Sequence, residues 1–316
     1  MTARVSVTMP VYNGERFVGQ AIESILRQTY RELELIVVDD GSTDATPRIL
    51  AAYAASDDRI VVHTQENAGY VAALNTAAAI GQGELLARLD ADDVAEPSRL
   101  RRQVDFLDAH PDVAVVGGSL LVIDATGRPF YLATYPPEAS DIRAALAHRT
   151  PLAHPTVLMR RRVFDAVGGY RTGFPHAEDY DLWLRISSAH ELVNLPDIFA
   201  RYRVHGANAS LHWLREQARS VVAARADTFG QAAGSPQAVA SVTLELALWW
   251  GQLLTRAGTH TKEARGMWRL AKTAAATTAT PEESRKRLHE VRAKLALEGG
   301  RRGRSRFHAA LAARRT

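Results

Sequence analysis

The chain of 316 residues contains no cysteine, which excludes a disulfide framework, a thiolate nucleophile and a zinc-thiolate centre, and suits a reducing compartment. Long apolar runs are also missing. The most apolar late segment, residues 239–254, is interrupted by Glu245, Gly251 and Gln252 and falls short of the ~20 apolar residues that a membrane-spanning helix needs. At the start, Met1-Thr2-Ala3-Arg4 carries one charge and the apolar stretch behind it is cut by Pro10. No secretory signal is therefore expected, and the chain reads as cytoplasmic. Neither Gly-x-Gly-x-x-Gly nor Gly-x-x-x-x-Gly-Lys-Ser/Thr occurs, which removes dinucleotide and P-loop chemistry.

What is present is a globular composition with uneven charge. Hydrophobic residues make up 46% of the chain and charged residues 23%, enough to bury a full core. The net charge of +4 belongs to residues 301–316, where six arginines stand without an acid and leave residues 1–300 at about −2. That tail reads either as a solvated, frayed terminus or as a peripheral contact with anionic lipid on the inner face of a membrane, where each arginine gains about 1 kcal/mol. Nucleic acid is not an expected partner, because only Phe307 could stack on a base.

Strand-like and helix-like patterns alternate through the first third. Val5–Val11, Leu35–Val38, Ile60–Val62, Leu85–Leu89 and Val113–Val116 are short apolar runs. Between them lie helical spacings from Phe17 to Leu26, Thr46 to Ala55, Val71 to Ile80 and Pro97 to Asp108. Such alternation implies an α/β fold with a Rossmann-like, mostly parallel sheet flanked by helices. From Gly117 to Val204 the pattern loosens into strand candidates at Leu120–Ile123, Thr156–Met159 and Arg201–Val204, with a helix from Glu178 to Ser188. Beyond Asn208 strands stop, and Leu211–Phe229, Pro236–Arg256 and Thr261–Ala276 read as helices. Thr280-Pro281-Glu282-Glu283 reads as a capping-box start of a further one. The expected organisation is a domain at 1–210, a C-terminal α-helical extension at 211–300 that could pair two copies, and a basic tail at 301–316.

Acidic residues recur where the apolar runs end, at Asp39-Asp40-Gly41-Ser42-Thr43-Asp44 and at Asp90-Ala91-Asp92-Asp93. Carboxyl ends of parallel strands converge on one crevice, so these carboxylates are expected to meet. On an extended segment Asp90 and Asp92 point the same way, and two hard oxygens can hold Mg2+ or Mn2+ together with substrate phosphates. Turn and cap chemistry accounts for Gly41 to Asp44 but less well for two adjacent carboxylates at Asp39 and Asp40. Arg201 and Arg203 share a strand face and could hold phosphate or a carboxylate of the same crevice. Trp183, Trp249 and Trp250 sit at helical spacing with apolar neighbours and are expected to pack.

The order of motifs resembles the nucleotide-binding half of the family 2 glycosyltransferases. It runs through Pro10-Val11-Tyr12-Asn13, Val37 to Asp44, Gln65-Glu66-Asn67-Ala68-Gly69 and Arg88-Leu89-Asp90-Ala91-Asp92-Asp93. It continues through His154-Pro155-Thr156-Val157, Gly168-Gly169-Tyr170, Glu178 to Trp183 and Arg201 to His205, so that the likeness spans about Val5 to Ser210. The resemblance implies a GT-A fold and inverting transfer from a nucleotide-diphosphate sugar donor to a saccharide or lipid-linked acceptor, in cell-surface polysaccharide or glycolipid synthesis. It implies that Pro10, Val11 and Tyr12 lie along base and ribose, that Asp39 accepts from the base, and that Asn67, Arg88, Asp90, Ala91 and Arg203 line the donor, with Asp90 at the ribose. Asp92 would bind Mn2+ or Mg2+, with His205 as a further ligand or diphosphate contact. Asp179 of the Glu178-Asp179 pair would be the general base, and its helix start would favour the ionised form. The acceptor loops would be Gly117–Arg149 and Arg171–His176.

Two rival functions share parts of this pattern. A sugar-1-phosphate nucleotidyltransferase would want a basic, glycine-rich phosphate loop after the first strand, which Tyr12-Asn13-Gly14-Glu15-Arg16 does not supply. A non-catalytic binding or scaffolding protein of the same fold would be expected to lack a metal or base carboxylate, whereas Asp90, Asp92 and Asp179 are all present.

Overall fold

The computed structural model describes residues 3–206, 208, 212–230, 235–257, 261–278 and 281–296. In chain order its first part comprises β1 (Val5–Val11), α1 (Val18–Leu26), β2 (Leu33–Asp39), α2 (Thr46–Ala54), β3 (Ile60–Thr64), α3 (Tyr70–Ile80) and β4 (Leu85–Arg88). Next come β5 (Val94–Ala95), α4 (Arg99–Ala109), β6 (Val113–Asp124), β7 (Pro129–Ala133) and α5 (Ala139–Leu146). Then follow β8 (Leu158–Arg160), α6 (Arg161–Ala166), α7 (Glu178–Ser187) and β9 (Glu191–Val204).

All seven residues of β1 are buried, as a strand covered on both faces requires; its two polar residues are satisfied there, Ser6 Oγ donating to Glu34 Oε1 at 2.7 Å and Thr8 Oγ1 to the Ala87 carbonyl oxygen at 3.1 Å. The helix α1 turns Val18, Ala21, Ile22 and Ile25 inward at helical spacing. The sheet runs β3-β2-β1-β4-β8-β6-β9-β5, with β7 paired to β6. Strands β1 to β4 are mutually parallel and so are β6 and β9, whereas β8 runs antiparallel to both its neighbours. The expected mostly parallel α/β sheet is therefore present, with antiparallel pieces in its second half.

That second half departs from the sequence pattern. Leu120–Ile123 is the end of the twelve-residue β6, and Arg201–Val204 the end of the fourteen-residue β9. His154–Thr156 is a single 3-10 turn, so β8 begins only at Leu158. The expected loop from Gly117 to Arg149 thus holds the end of β6, the hairpin strand β7 and helix α5. Gly117 and Gly118 look like a break but are close-approach residues: a Cβ on Gly118 would lie 2.4 Å from Phe199 Cδ2 and 2.9 Å from the Asp197 carbonyl oxygen. The β6/β9 register shifts here, which lets Pro196 sit inside β9 without a missing ladder bond. Gly118→Ala should cost about 1–3 kcal/mol through overpacking, read as a lower urea midpoint at unchanged m-value.

The chain divides into two compact units between Val204 and His205. In the second, α8 (Leu214–Phe229), α9 (Pro236–Ala257) and α10 (Thr261–Ala275) are followed by a helix at residues 282–296. Leu244, Leu248, Trp250, Leu254, Val291 and Leu295 are buried, and Glu245 accepts from Ser284 Oγ at 2.6 Å and Arg287 Nη1 at 2.7 Å. Trp183 and Trp250 pack as expected, exposed by 0% and 3%. Among the described residues, no helix is long and apolar enough to cross a membrane. Leu211, Thr280 and the arginine-rich tail lie outside the described residues.

Candidate active site

Strand β1 pairs with β2 on one side and β4 on the other, all parallel, so the chain switches direction across the sheet there and leaves a crevice beyond the carboxyl ends. Val11, Asp39 and Arg88 end these strands. Pro10 and Val11 are buried, while the ring of Tyr12 is 54% exposed at the crevice side of β1. The following turn is tied to the one after β2: Thr43 N–H donates to Asn13 Oδ1 at 2.8 Å and Asn13 N–H to Ser42 Oγ at 2.8 Å.

Asp39 is fully buried; its Oδ1 accepts from Ser42 N–H at 3.0 Å and its Oδ2 has no hydrogen-bond partner. A buried acceptor without a donor costs about 1–3 kcal/mol, and this oxygen has its acceptor capacity unused. Asp40 does a different job. Its Oδ1 accepts from Gln65 Nε2 at 2.8 Å and Ala68 N–H at 2.9 Å, and its Oδ2 from Gly69 N–H at 2.9 Å. It thereby moors the loop carrying Asn67, whose side chain is exposed. Gly41 allows this approach: it has φ +78, and a Cβ there would lie 3.0 Å from the Asn67 amide nitrogen.

The second acidic group follows β4. Buried Arg88 donates from Nη1 to Asp90 Oδ2 at 2.6 Å and from Nη2 to Asp90 Oδ1 and the Tyr70 hydroxyl oxygen. Asp90, Ala91 and Asp92 are half-buried, and Asp93 is fully buried. Asp93 Oδ1 accepts from Arg203 N–H at 2.8 Å, whereas its Oδ2 is buried without a partner. One oxygen each of Asp90, Asp92 and Asp93 lies within 4.8 Å of the others. Burial, followed by Asp92 and Asp90, pushes the Asp93 carboxyl well above the usual range. Clustered hard oxygens, one without a proton donor, fit a divalent cation such as Mg2+ or Mn2+.

Arg203 braces this turn. Its Nε donates to the Asp92 carbonyl oxygen at 2.8 Å, its Nη2 to Gln20 Oε1 at 2.9 Å, and its guanidinium lies 4.6 Å from the Phe17 ring centre. Arg201, one strand position pair away, turns to Glu96 Oε1 at 2.7 Å. His205 is the first residue of the second unit, and the three-carboxylate group is complete within the first.

Glu178 and Asp179 open α7. Glu178 is buried, its Oε2 has no hydrogen-bond partner, and burial with the neighbouring Asp179 raises its carboxyl to about 8. Asp179 is half-buried; its Oδ1 accepts from Tyr180 N–H at 2.7 Å, and burial raises it to about 6. Desolvation thus outweighs the helix-start effect expected to favour the charged form. The result is a carboxylate that is ionised at neutral pH yet basic enough to take a proton. Behind the pair, buried Asp181 accepts from Arg171 Nε and from Arg185 Nε at 3.0 Å and Nη2 at 2.8 Å. Arg185 also holds the Val167 and Gly169 carbonyl oxygens at 2.6 and 2.7 Å. His154, the turn histidine, lies in the core with Nε2 2.8 Å from the Tyr170 hydroxyl, and burial, then Arg88, keeps it neutral. The sequence reading missed Tyr70, the division of labour between Asp39 and Asp40, and the Asp181 clamp.

Residues 6–168 match the family model described as "Glycosyl transferase family 2". The chain is 32% identical over 223 residues to an uncharacterized glycosyltransferase of Haemophilus influenzae, covering 67% of this chain and 69% of that one. It is 33% identical over 205 residues to the O-antigen biosynthesis glycosyltransferase WbnJ of Escherichia coli, covering 64% of this chain and 80% of the relative. In fold it resembles mannosyltransferase PcManGT from Pyrobaculum calidifontis, solved in complex with GDP-Man and Mn2+. The TM-score is 0.59 at 22% identity, over 95% of this chain and 86% of that one. The likeness bears out the GT-A architecture expected from the sequence, with its helical extension.

Proposed function

The chain belongs to glycosyl transferase family 2, and on that premise we propose that it transfers a sugar, with inversion, from a nucleotide-diphosphate donor to an acceptor hydroxyl in cell-surface polysaccharide or glycolipid synthesis. The observation that carries this reading is the Asp90-Asp92-Asp93 group at the carboxyl end of β4. It stands at the sheet's switch point, where the end of β2 presents the open oxygen of Asp39.

In this mechanism Asp39 Oδ2 accepts from the base, Asp90 from a ribose hydroxyl, and Asp92 and Asp93 would hold the cation. When bound, Mn2+ or Mg2+ supplies positive charge to the departing diphosphate oxygens. Asp179 takes the proton of the acceptor hydroxyl as its oxygen bonds to the sugar's anomeric carbon, while the bond from that carbon to the diphosphate breaks on the opposite face. Glu178, raised to about 8, stays protonated at neutral pH and leaves the base role to its neighbour. The proposal includes cytoplasmic action, with residues 301–316 as the contact with anionic lipid.

A thermal-shift screen of the full chain with UDP, GDP and dTDP, each with Mn2+, tests the donor assignment. One of them at a hundredfold its dissociation constant should stabilise the fold by about 2.7 kcal/mol, a shift of roughly 5–11 °C for a domain of this size. No shift with any of the three would overturn the assignment.

A further inference from the structure

The Arg88 side chain is held at one end only. Its Nε is buried without a partner, and its Nη atoms reach Asp90 and the Tyr70 hydroxyl. No other hydrogen-bond acceptor for this guanidinium is found among the described residues. The Tyr70 hydroxyl in turn donates to Asp90 Oδ1 at 3.2 Å, and the Arg88 guanidinium lies 5.7 Å from the Tyr70 ring centre. The three groups close a ring: arginine to phenol oxygen, phenol hydrogen to carboxylate, arginine to carboxylate.

An ionised carboxylate offers about four lone-pair sites. The two Arg88 contacts and the Tyr70 hydroxyl fill three, which leaves Asp90 one acceptor site on Oδ2, enough for a single hydroxyl. The backbone that places Tyr70 is set from the other motif. Tyr70 follows Gly69, and Asp40 takes the Ala68 and Gly69 amides and the Gln65 side chain. Asp40 adjoins Asp39. Hydrogen bonds joined by short stretches of backbone therefore run from the base end of the crevice, through the loop and Tyr70, to Asp90, while Tyr70 remains 37% exposed.

We propose that Tyr70 is a positioning residue of the donor site: it orients Arg88 and Asp90 so that Asp90 reads one ribose hydroxyl, and it couples that end of the site to the Asp39-Asp40 end. This rests on the donor-site reading above. Because Tyr70 is partly exposed, Tyr70→Phe removes the hydroxyl without emptying the core. Calorimetric titration of the full chain in Mn2+, wild type and Tyr70→Phe, with UDP, GDP and dTDP, then repeats the tightest of the three with each ring hydroxyl removed in turn. Tyr70→Phe should weaken that nucleoside diphosphate by about three- to tenfold, the net worth of one ordinary hydrogen bond, because the phenol acts on the ligand only through Asp90. The difference between wild type and variant should vanish for the analogue that lacks the hydroxyl Asp90 reads. Equal or tighter binding by Tyr70→Phe, or a loss that persists through every analogue, would overturn the proposal while leaving the donor site standing. A wild type that binds none of the three would overturn the donor-site reading, and this inference with it.

Discussion

Replacing Asp179 by Asn should lower kcat by about 10²- to 10⁴-fold, the usual contribution of a general base, with nucleoside diphosphate affinity unchanged. Asn keeps the shape and the contact with Tyr180 N–H but cannot accept the acceptor's proton. The pH dependence identifies which carboxylate acts. A base works when deprotonated, and burial has raised Asp179 to about 6. Wild-type kcat/KM should therefore climb as pH rises through about 6 and level off above it. Were Glu178 the base, its position at about 8 would move the climb two units higher. In Asp179→Asn the rise near 6 should disappear. A climb centred near 8 that survives in Asp179→Asn would transfer the role to Glu178.

The second large effect concerns stability. Asp181→Ala removes a fully buried carboxylate that Arg171 and Arg185 share, and leaves the mostly buried Arg185 without its counter-ion. Breaking a buried pair from one side costs about 3–5 kcal/mol, because the remaining charge keeps its desolvation penalty. For a domain of roughly 200 residues this corresponds to a fall of about 6–20 °C in midpoint, measured by calorimetry on the full chain. Activity should suffer as well. Arg185 holds the Val167 and Gly169 carbonyls, and Tyr170 beside them exchanges hydrogen bonds with Asn75 of α3 at 2.8 and 3.1 Å. A midpoint within 2 °C of wild type would show that the clamp does not support the base-bearing helix.

The parts of this fold that were legible in the sequence are those where local pattern and tertiary environment agree. Strands β1, β2 and β4 are covered on both faces, so each is a mostly apolar run ending abruptly at the crevice, and the acids that follow β2 and β4 mark its rim. Strands β6 and β9 were not legible in full, because the signals that argue against a strand are here consequences of packing. Gly118 is small because Phe199 occupies the space of a side chain, and Pro196 falls where the register shifts. The hairpin strand β7 carries the exposed Leu132 and lacks the buried pattern that would announce it.

The site shows the same division. Asp39, Asp90, Asp92 and Asp179 were readable as residue types in a familiar order, but their assignments as donor contacts, metal ligand and base remain the proposal made above. What the sequence could not show is which acids face ligand and which face protein. Asp40 is distinguished from Asp39 only once β3 pairs with β2 and brings the amides of residues 68 and 69 to it. Tyr70 joins Arg88 and Asp90 only across the sheet, from a helix start eighteen residues away in sequence. The base presents a related case. A helix start alone argues for a depressed carboxyl, and burial, which no linear pattern shows, reverses the direction.

In the proposed mechanism Asp179 directs an acceptor oxygen to the face of the sugar opposite the departing diphosphate. Its most direct test is the anomeric configuration of the first product, read by proton NMR during transfer from the donor to an acceptor, or to water in its absence. Inversion is expected, a β-linked or β-hemiacetal product from an α-linked donor; retention of configuration in the first-formed product would rule out this role for Asp179.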